Sequence, residues 1–324
     1  MTVITSVEAF APATSANLGV GFDILGLALE GMGDRVIAAR SQDPGVRIAS
    51  ITGDDGQIPR DVERNTAGIA ALALLKQCKI NEYGVELTIH KGLPLASGLG
   101  GSAASAVAAA IAVNNLLGEP LSRDELLPIC MEGEALISGY HADNIAPSLY
   151  GGITLITGTD ADSIRRLPVP ERLCFALVTP DVRVPTAEAR AVLPAQVSLK
   201  HMVSQTANVA LLVDSLYRGD VAGVAAAMAG DVVVEPARAH LMPRMAEVRE
   251  AAIRAGALSV VISGAGPTLC AVCDSMATAQ TAAQAMKNVY DFNRIASQIQ
   301  VSVVDQRGAY VKNQRTAAQK ADLS

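Results

Sequence analysis

The chain breaks into short apolar runs closed by Gly or Pro and longer apolar stretches of helix-forming residues. Val85 to His90 (VELTIH) is rich in β-formers and stops at Gly92 and Pro94, which predicts a strand. Ser102 to Leu117 (SAASAVAAAIAVNNLL) is almost pure helix-former with little polar surface, and Gly118 and Pro120 end it; this predicts a buried helix. Thr66 to Lys76 predicts a second apolar helix, with Asn65 or Thr66 as its cap. Gly151 to Gly158 (GGITLITG) and Leu173 to Thr179 (LCFALVT) predict strands. Val203 to Leu216, Met245 to Ala255 and Gln280 to Tyr290 predict helices. Leu258 to Ser263 and Thr268 to Cys273 predict strands around a glycine-rich turn, and Ile299 to Val304 a last strand. Strands and helices are mixed without a regular βαβ period. That favours two-layer α+β units over a doubly wound sheet. The polar, Pro-containing stretch Asp160 to Pro170 suits a boundary. The expected units are therefore 1–162 and 163–311, followed by a polar, fraying tail over 312–324.

Composition narrows the picture. Of 324 residues half are hydrophobic and 18% are charged, enough apolar surface to fold and too much for a disordered chain. Trp is absent and aromatics make up 3%, so the core is built from Ala, Val, Leu and Ile, and stacking on single-stranded nucleic acid is poorly supported. The net charge is −6 with no run of Lys or Arg, which argues against a phosphate-backbone footprint. Five scattered cysteines suggest free thiols in a reducing compartment; Cys270 and Cys273 form one C-x-x-C inside an apolar strand and read as core thiols, not half a zinc site. The first residues lack the basic and apolar segments of a signal peptide, and no stretch of about 18 apolar residues occurs. A cytoplasmic enzyme without nucleic-acid or membrane partners is expected.

The chemistry is concentrated in Pro94 to Ser105 (PLASGLGGSAAS). A strand leads into Gly92, Gly98, Gly100 and Gly101, and a helix follows at once. Residues without Cβ let backbone come close to phosphate oxygens, and a helix start offers unpaired N–H groups and the positive end of the dipole. A polyphosphate would be held there with no basic side chain in the loop. No Lys follows the glycines, so this is not a Walker A loop. Gly98, Gly100 and Ala103 match the dinucleotide fingerprint, but the acidic partner expected about 20 residues on would be Glu119, in a Gly-Glu-Pro turn. A plain tight turn before a buried helix is the bland alternative.

This stretch resembles the central motif of the GHMP kinases, P-x-x-x-G-L-G-S-S-A-A, through Pro94, Gly98, Leu99, Gly100, Ser102, Ala103 and Ala104; Gly101 departs from the first Ser. Ala11 to Gly26 (APATSANLGVGFDILG) resembles the N-terminal motif of that family, and Ile262 to Ala271 (ISGAGPTLCA) its C-terminal glycine motif. Together they span nearly the whole chain. The resemblance implies a two-domain α+β fold. Its N-terminal part is like the second domain of ribosomal protein S5, its C-terminal part is a ferredoxin-like plait, and ATP lies between them. Within the family, His141 to Gly152 (HADNIAPSLYGG), Glu235 to Pro243 (EPARAHLMP) and Thr186 to Arg190 (TAEAR) resemble the homoserine-kinase branch.

That resemblance implies ATP and L-homoserine as substrates, Mg²⁺ as cofactor, and a homodimer as a possible assembly. ATP would meet Asn65 and Leu93, Pro94, Leu95, Ala96, Ser97, Gly98, Leu99, Gly100, Gly101, Ser102, Ala103 and Ala104. Ser102 and Glu134 would hold the metal, with Glu132 as the alternative carboxylate. Homoserine is a zwitterion with one reactive hydroxyl. Its carboxylate suits the guanidinium forks of Arg190 and Arg238, its ammonium suits Asp23, and Asn17, His141, Thr186 and Gly264 complete the cage. Asn144 would lie near the transferred group, and Arg190 would steady developing charge. Asp23 lies in the apolar run Val20 to Leu29, where unpaired burial would cost several kcal/mol, so a partner is expected for it. A lone Asn, Asp or Arg is otherwise a cap or solvated surface, and Asn65 precedes a helix. The rival readings are another GHMP kinase acting on a sugar or isoprenoid alcohol, against which the paired arginines and Asp23 count because a neutral polyol needs neither, and a non-catalytic sensor on the same fold.

Overall fold

The computed structural model describes residues 4–317. Its first sheet is built from β1 (Ile4–Ala16), β2 (Leu25–Ser41), β3 (Gly45–Thr52), β4 (Gly84–His90), β5 (Ile153–Ile156) and β6 (Ile164–Leu167), with α1 (Thr66–Gln77), α2 (Gly101–Leu116), α3 (Arg123–Ser138) and α4 (Ile145–Tyr150) beside it. The second sheet uses β7 (Cys174–Pro180), then α5 (Thr186–Ala191), α6 (Leu199–Arg218), α7 (Val221–Met228), α8 (Val234–Arg238) and α9 (Met245–Arg254) before β8 (Ser259–Ile262), β9 (Leu269–Cys273), α10 (Met276–Phe292) and β10 (Ser297–Val303). A last strand, β11 (Tyr310–Thr316), returns to the first sheet.

The first sheet runs β11-β1-β2-β4-β3, with β5 on β2 and β6 on β5; only β3 and β4 pair in parallel. The second runs β10-β7-β9-β8 and is antiparallel throughout. Helix α2 is the pillar of the first half, packed between β1 and β2 on one side and α1 and α3 on the other. Its small residues Ala103, Ala104, Ala108, Ala109 and Ala112 are fully buried, as the missing polar face requires. The second sheet is covered on both faces. Phe175 and Leu177 of β7 face the larger core, while Cys174, Ala176 and Val178 face a second core under α9 and α10. Two buried faces explain why this strand reads as an unbroken apolar run instead of an alternation. Cys270 and Cys273 are buried on β9 as free thiols, and burial raises both.

Three stretches differ from the sequence expectation. The Asp160 to Pro170 segment is not a bare linker, since Ile164–Leu167 forms β6 and extends the first sheet past residue 162. The expected tail from Lys312 enters β11, paired with β1 along its edge; of the tail, residues 318–324 lie outside the described residues. An edge strand is held by backbone hydrogen bonds, so a polar sequence joins it without an apolar signal. The long strands β1 and β2 were not delimited either, because β2 carries a run of buried residues at one end and alternation at the other. Among the described residues no helix is long and apolar enough to cross a membrane.

Candidate active site

The three glycine-bearing motifs meet at the N-terminus of α2. Thr14 N–H donates to Leu99 O at 3.1 Å, and Thr268 N–H to Ser97 O at 3.2 Å. Ser263 Oγ lies 2.9 Å from both Gly98 O, to which its hydroxyl can donate, and Ser15 Oγ, the other hydroxyl. The loop between β4 and α2 is thus clamped from β1 on one side and from the β8–β9 turn on the other. Gly100 caps α2 at φ 64° with no side-chain cap, so the first N–H groups of the helix stay available. A Cβ at Gly100 would stand 1.9 Å from Thr14 Oγ1, and one at Gly98 2.4 Å from Ser263 O. Both positions have positive φ, so glycine is required on two counts. Gly101 is different: a Cβ there meets nothing nearer than Lys91 Nζ at 3.4 Å.

A cavity of about 530 Å³ opens over this loop. Of the residues expected to meet ATP, Asn65, Pro94, Leu95, Ala96, Ser97, Gly98, Gly100, Gly101 and Ser102 line it. Leu93, Leu99, Ala103 and Ala104 have their side chains in the core, which leaves their backbone as the only part able to face a ligand. The Asn65 side chain is taken up locally. Its Oδ1 accepts from Ala67 and Gly68 N–H as the cap of α1, and its Nδ2 donates to Pro59 O. Ser102 Oγ donates to Glu134 Oε1 at 3.0 Å. Glu134 is buried at the cavity wall, whereas Glu132 is exposed. A hydroxyl and a carboxylate side by side are hard oxygen donors of the kind a magnesium ion takes when nucleotide and water supply the rest.

The other end of the cavity is ionic. Arg190 makes a two-pronged pair with Asp23, Nη2 to Oδ1 at 2.8 Å and Nη1 to Oδ2 at 3.1 Å. His141 Nδ1 lies 3.7 Å from Asp23 Oδ2. Arg238 is 2% exposed and donates to Ala189 O and Gly264 O. Burial, then the Arg190 charge, holds it below its ordinary value. The two guanidinium groups flank the Phe22 ring at 5.3 and 5.2 Å from its centre. Asn17 Nδ2 donates to Gly264 O at 3.0 Å while its Oδ1 accepts from Asp23 N–H at 3.1 Å. Asn17, Leu18 and Asp23 all have positive φ, a concentration of unfavourable backbone that marks this turn. Thr186 opens α5 at the wall, and Asn144 sits beside Gly100.

Four features of the site went unread in the sequence. Lys91 lies ten positions before Gly101, yet its ammonium reaches Asp34, Gly101 O at 2.6 Å and Ser105 Oγ at 2.8 Å; Asp34 also accepts from Ser105 Oγ and Gly92 N–H. The loop itself carries no Lys or Arg, and in the fold Lys91, from just before it, braces it at the cavity wall. The signal was its place at the end of β4. Phe22, one of four phenylalanines, adjoins Asp23 in the sequence. Thr14 is buried with its hydroxyl at Asn144. Asp143 lines the cavity, and burial, then the Asp23 and Glu134 charges, pushes its carboxyl up to about 7.

A glycine loop at a helix start, clamped by two other motifs between two α+β units, is the framework of a phosphoryl-transfer enzyme. Comparison with known proteins agrees. Residues 65–152 match the GHMP kinases N terminal domain and 212–291 the GHMP kinases C terminal domain. The chain belongs to the GHMP kinase family and has its two-domain fold. It is similar to a homoserine kinase of Arabidopsis thaliana, 44% identical over 96% of this chain and 86% of the relative. It is 41% identical to a homoserine kinase of Chlorobium phaeovibrioides, over 94% of this chain and 99% of the relative. A solved homoserine kinase structure from Cytophaga hutchinsonii superposes with a TM-score of 0.91 at 44% identity, covering 96% of this chain and 98% of that one.

Proposed function

We propose that this protein transfers the terminal phosphoryl group of ATP to the side-chain hydroxyl of L-homoserine, giving ADP and O-phospho-L-homoserine for threonine biosynthesis. One observation carries the reading. A single cavity has a backbone-built phosphate cradle at one end and, at the other, two guanidinium groups beside a carboxylate. A zwitterionic acceptor needs both signs of charge, and a neutral polyol needs neither.

In this reading the N–H groups of the loop and of the first turn of α2 hold the ATP phosphates without basic side chains. Ser102 and Glu134 hold Mg²⁺, which when bound neutralises phosphate charge. Arg190 and Arg238 take the acceptor carboxylate; Asp23, supported by Asn17 and His141, takes the ammonium, and Thr186 and Gly264 close the cage. Asn144 lies by the hydroxyl and the transferred group. Its carboxamide cannot accept a proton, so catalysis rests on positioning and charge stabilisation, with the proton leaving on the phosphate. Arg190 adds positive charge as negative charge develops. The first α+β unit binds the nucleotide and the second supplies the arginines. We expect a cytoplasmic enzyme. Helix α6 exposes Leu199, Met202 and Val203 on one face, which suits a homodimer, and light scattering measures that directly.

The test is ADP release from Mg²⁺-ATP with L-homoserine, galactose, mevalonate, L-serine or no acceptor. Stimulation by L-homoserine alone is expected. Equal rates with every acceptor, or none with any while ATP still binds, would overturn the assignment.

A further inference from the structure

Asn144 immediately precedes α4, where an Asn in extended backbone would turn its side-chain oxygen back to cap the helix. It makes no such bond here. Its Oδ1 instead accepts from Thr14 Oγ1 at 2.7 Å. Its backbone is already helical (φ −104°, ψ −41°) and Ala146 N–H is taken by Ala142 O, so the helix start leaves this side chain free for another partner. Thr14 is suited to be that partner. It is fully buried, and its own N–H is anchored to Leu99 O, in the loop that Asn144 overlooks. The pair lies against Gly100, where an added Cβ would stand 1.9 Å from Thr14 Oγ1 and 2.9 Å from Asn144 Oδ1.

A primary carboxamide has one acceptor end and one donor end. With the acceptor end committed to Thr14, the donor end is what remains for the cavity, whose wall Asn144 shares with Gly100, Ser102 and Asp143. We infer that Thr14 is a positioning residue: its hydroxyl fixes the Asn144 carboxamide so that the Nδ2 amino group donates into the cavity, toward an oxygen of the group in transfer. This rests on the role of Asn144 proposed above. It also adds a direction to that role, because a carboxamide held this way stabilises negative charge.

The test combines turnover with a readout that does not need turnover. Thr14→Val keeps the shape and removes the hydroxyl; Thr14→Ser restores it. Expected is a fall in kcat of about 10- to 100-fold for Thr14→Val, with both KM values within about twofold of the parent and recovery in Thr14→Ser. In an Asn144→Ala background, Thr14→Val should cost nothing further. Independently, the Asn144 side-chain N–H₂ resonances, assigned by their loss in Asn144→Ala, should shift in Thr14→Val and return in Thr14→Ser. Should Val fold poorly, Thr14→Ala repeats both measurements with a smaller side chain. Unmoved resonances, or a full extra loss in the Asn144→Ala background, would overturn the inference. Shifted resonances in an enzyme that homoserine does not stimulate would leave the positioning intact and defeat the substrate assignment instead.

Discussion

The two ends of the cavity solve opposite problems with opposite materials. The phosphate end is expected to meet a highly charged ligand with backbone: glycines at positive φ, a helix start, and hydroxyls that tie neighbouring motifs to the loop. Its charged brace pairs Lys91, at the cavity wall, with the fully buried Asp34. The acceptor end is expected to meet a small zwitterion with ionised side chains aimed at the ligand, Asp23, Arg190 and Arg238. Backbone gives a cradle that is rigid and indifferent to the rest of the ligand. Ionised forks give recognition of one charge pattern. The phosphate end should therefore break when volume is added or its brace is cut, and the acceptor end when charge is removed.

The largest effect is expected at the brace. Lys91→Met leaves Asp34, which is fully buried, without its cation, and should destabilise the protein by about 3–5 kcal/mol. Urea denaturation measures this, and pairing it with Asp34→Leu should recover part of the loss. Next, Gly100→Ala forces a Cβ onto the Thr14 hydroxyl at a positive φ. A loss of about 2–4 kcal/mol in stability, or of ATP binding, is expected from strain and overlap together. At the other end, Arg238→Met should weaken homoserine by roughly 30- to 150-fold in kcat/KM, about 2–3 kcal/mol, with the KM for ATP unchanged. A matching rise in both KM values would dissolve the division of labour.

A fourth prediction concerns pH. The Asp143 carboxyl is raised to about 7 by burial, then by Asp23 and Glu134. A raised folded value means that the folded protein holds this proton more tightly than the unfolded chain. Stability from this site is therefore fully present below about pH 3.8, falls as pH climbs from there to about 7, and levels off above it. Asp143→Asn should flatten that slope and stabilise the ligand-free protein at pH 8 by on the order of 2 kcal/mol. If it instead abolished turnover together with a limb of the pH–rate profile, the base-free mechanism would be contradicted. The smallest effect belongs to Gly101→Ser. The site has room for the Cβ, and kcat/KM should stay within about threefold of the parent.

The same contrast explains what was legible in the sequence. The phosphate loop stood out because glycine density followed by an alanine-rich helix is a local signal, and both elements form where the pattern puts them. The ionic end was legible only by resemblance. Asp23, His141, Arg190 and Arg238 come from four separated segments, and no periodicity says that they meet. Lys91, Thr14 and Asp143 were passed over for the same reason, since their partners lie on other strands and helices. Edge strand β11 was missed because backbone pairing leaves no mark in side-chain composition.

The measurement that tests this division most directly is ³¹P NMR of the protein with Mg²⁺-ATP and either L-homoserine or 4-hydroxybutanoate, which keeps the carboxylate and the hydroxyl but lacks the ammonium. A new phosphomonoester resonance with homoserine, and only ATP with 4-hydroxybutanoate, is expected if Asp23 and the arginines read both charges. Equal phosphorylation of the two acceptors would contradict it.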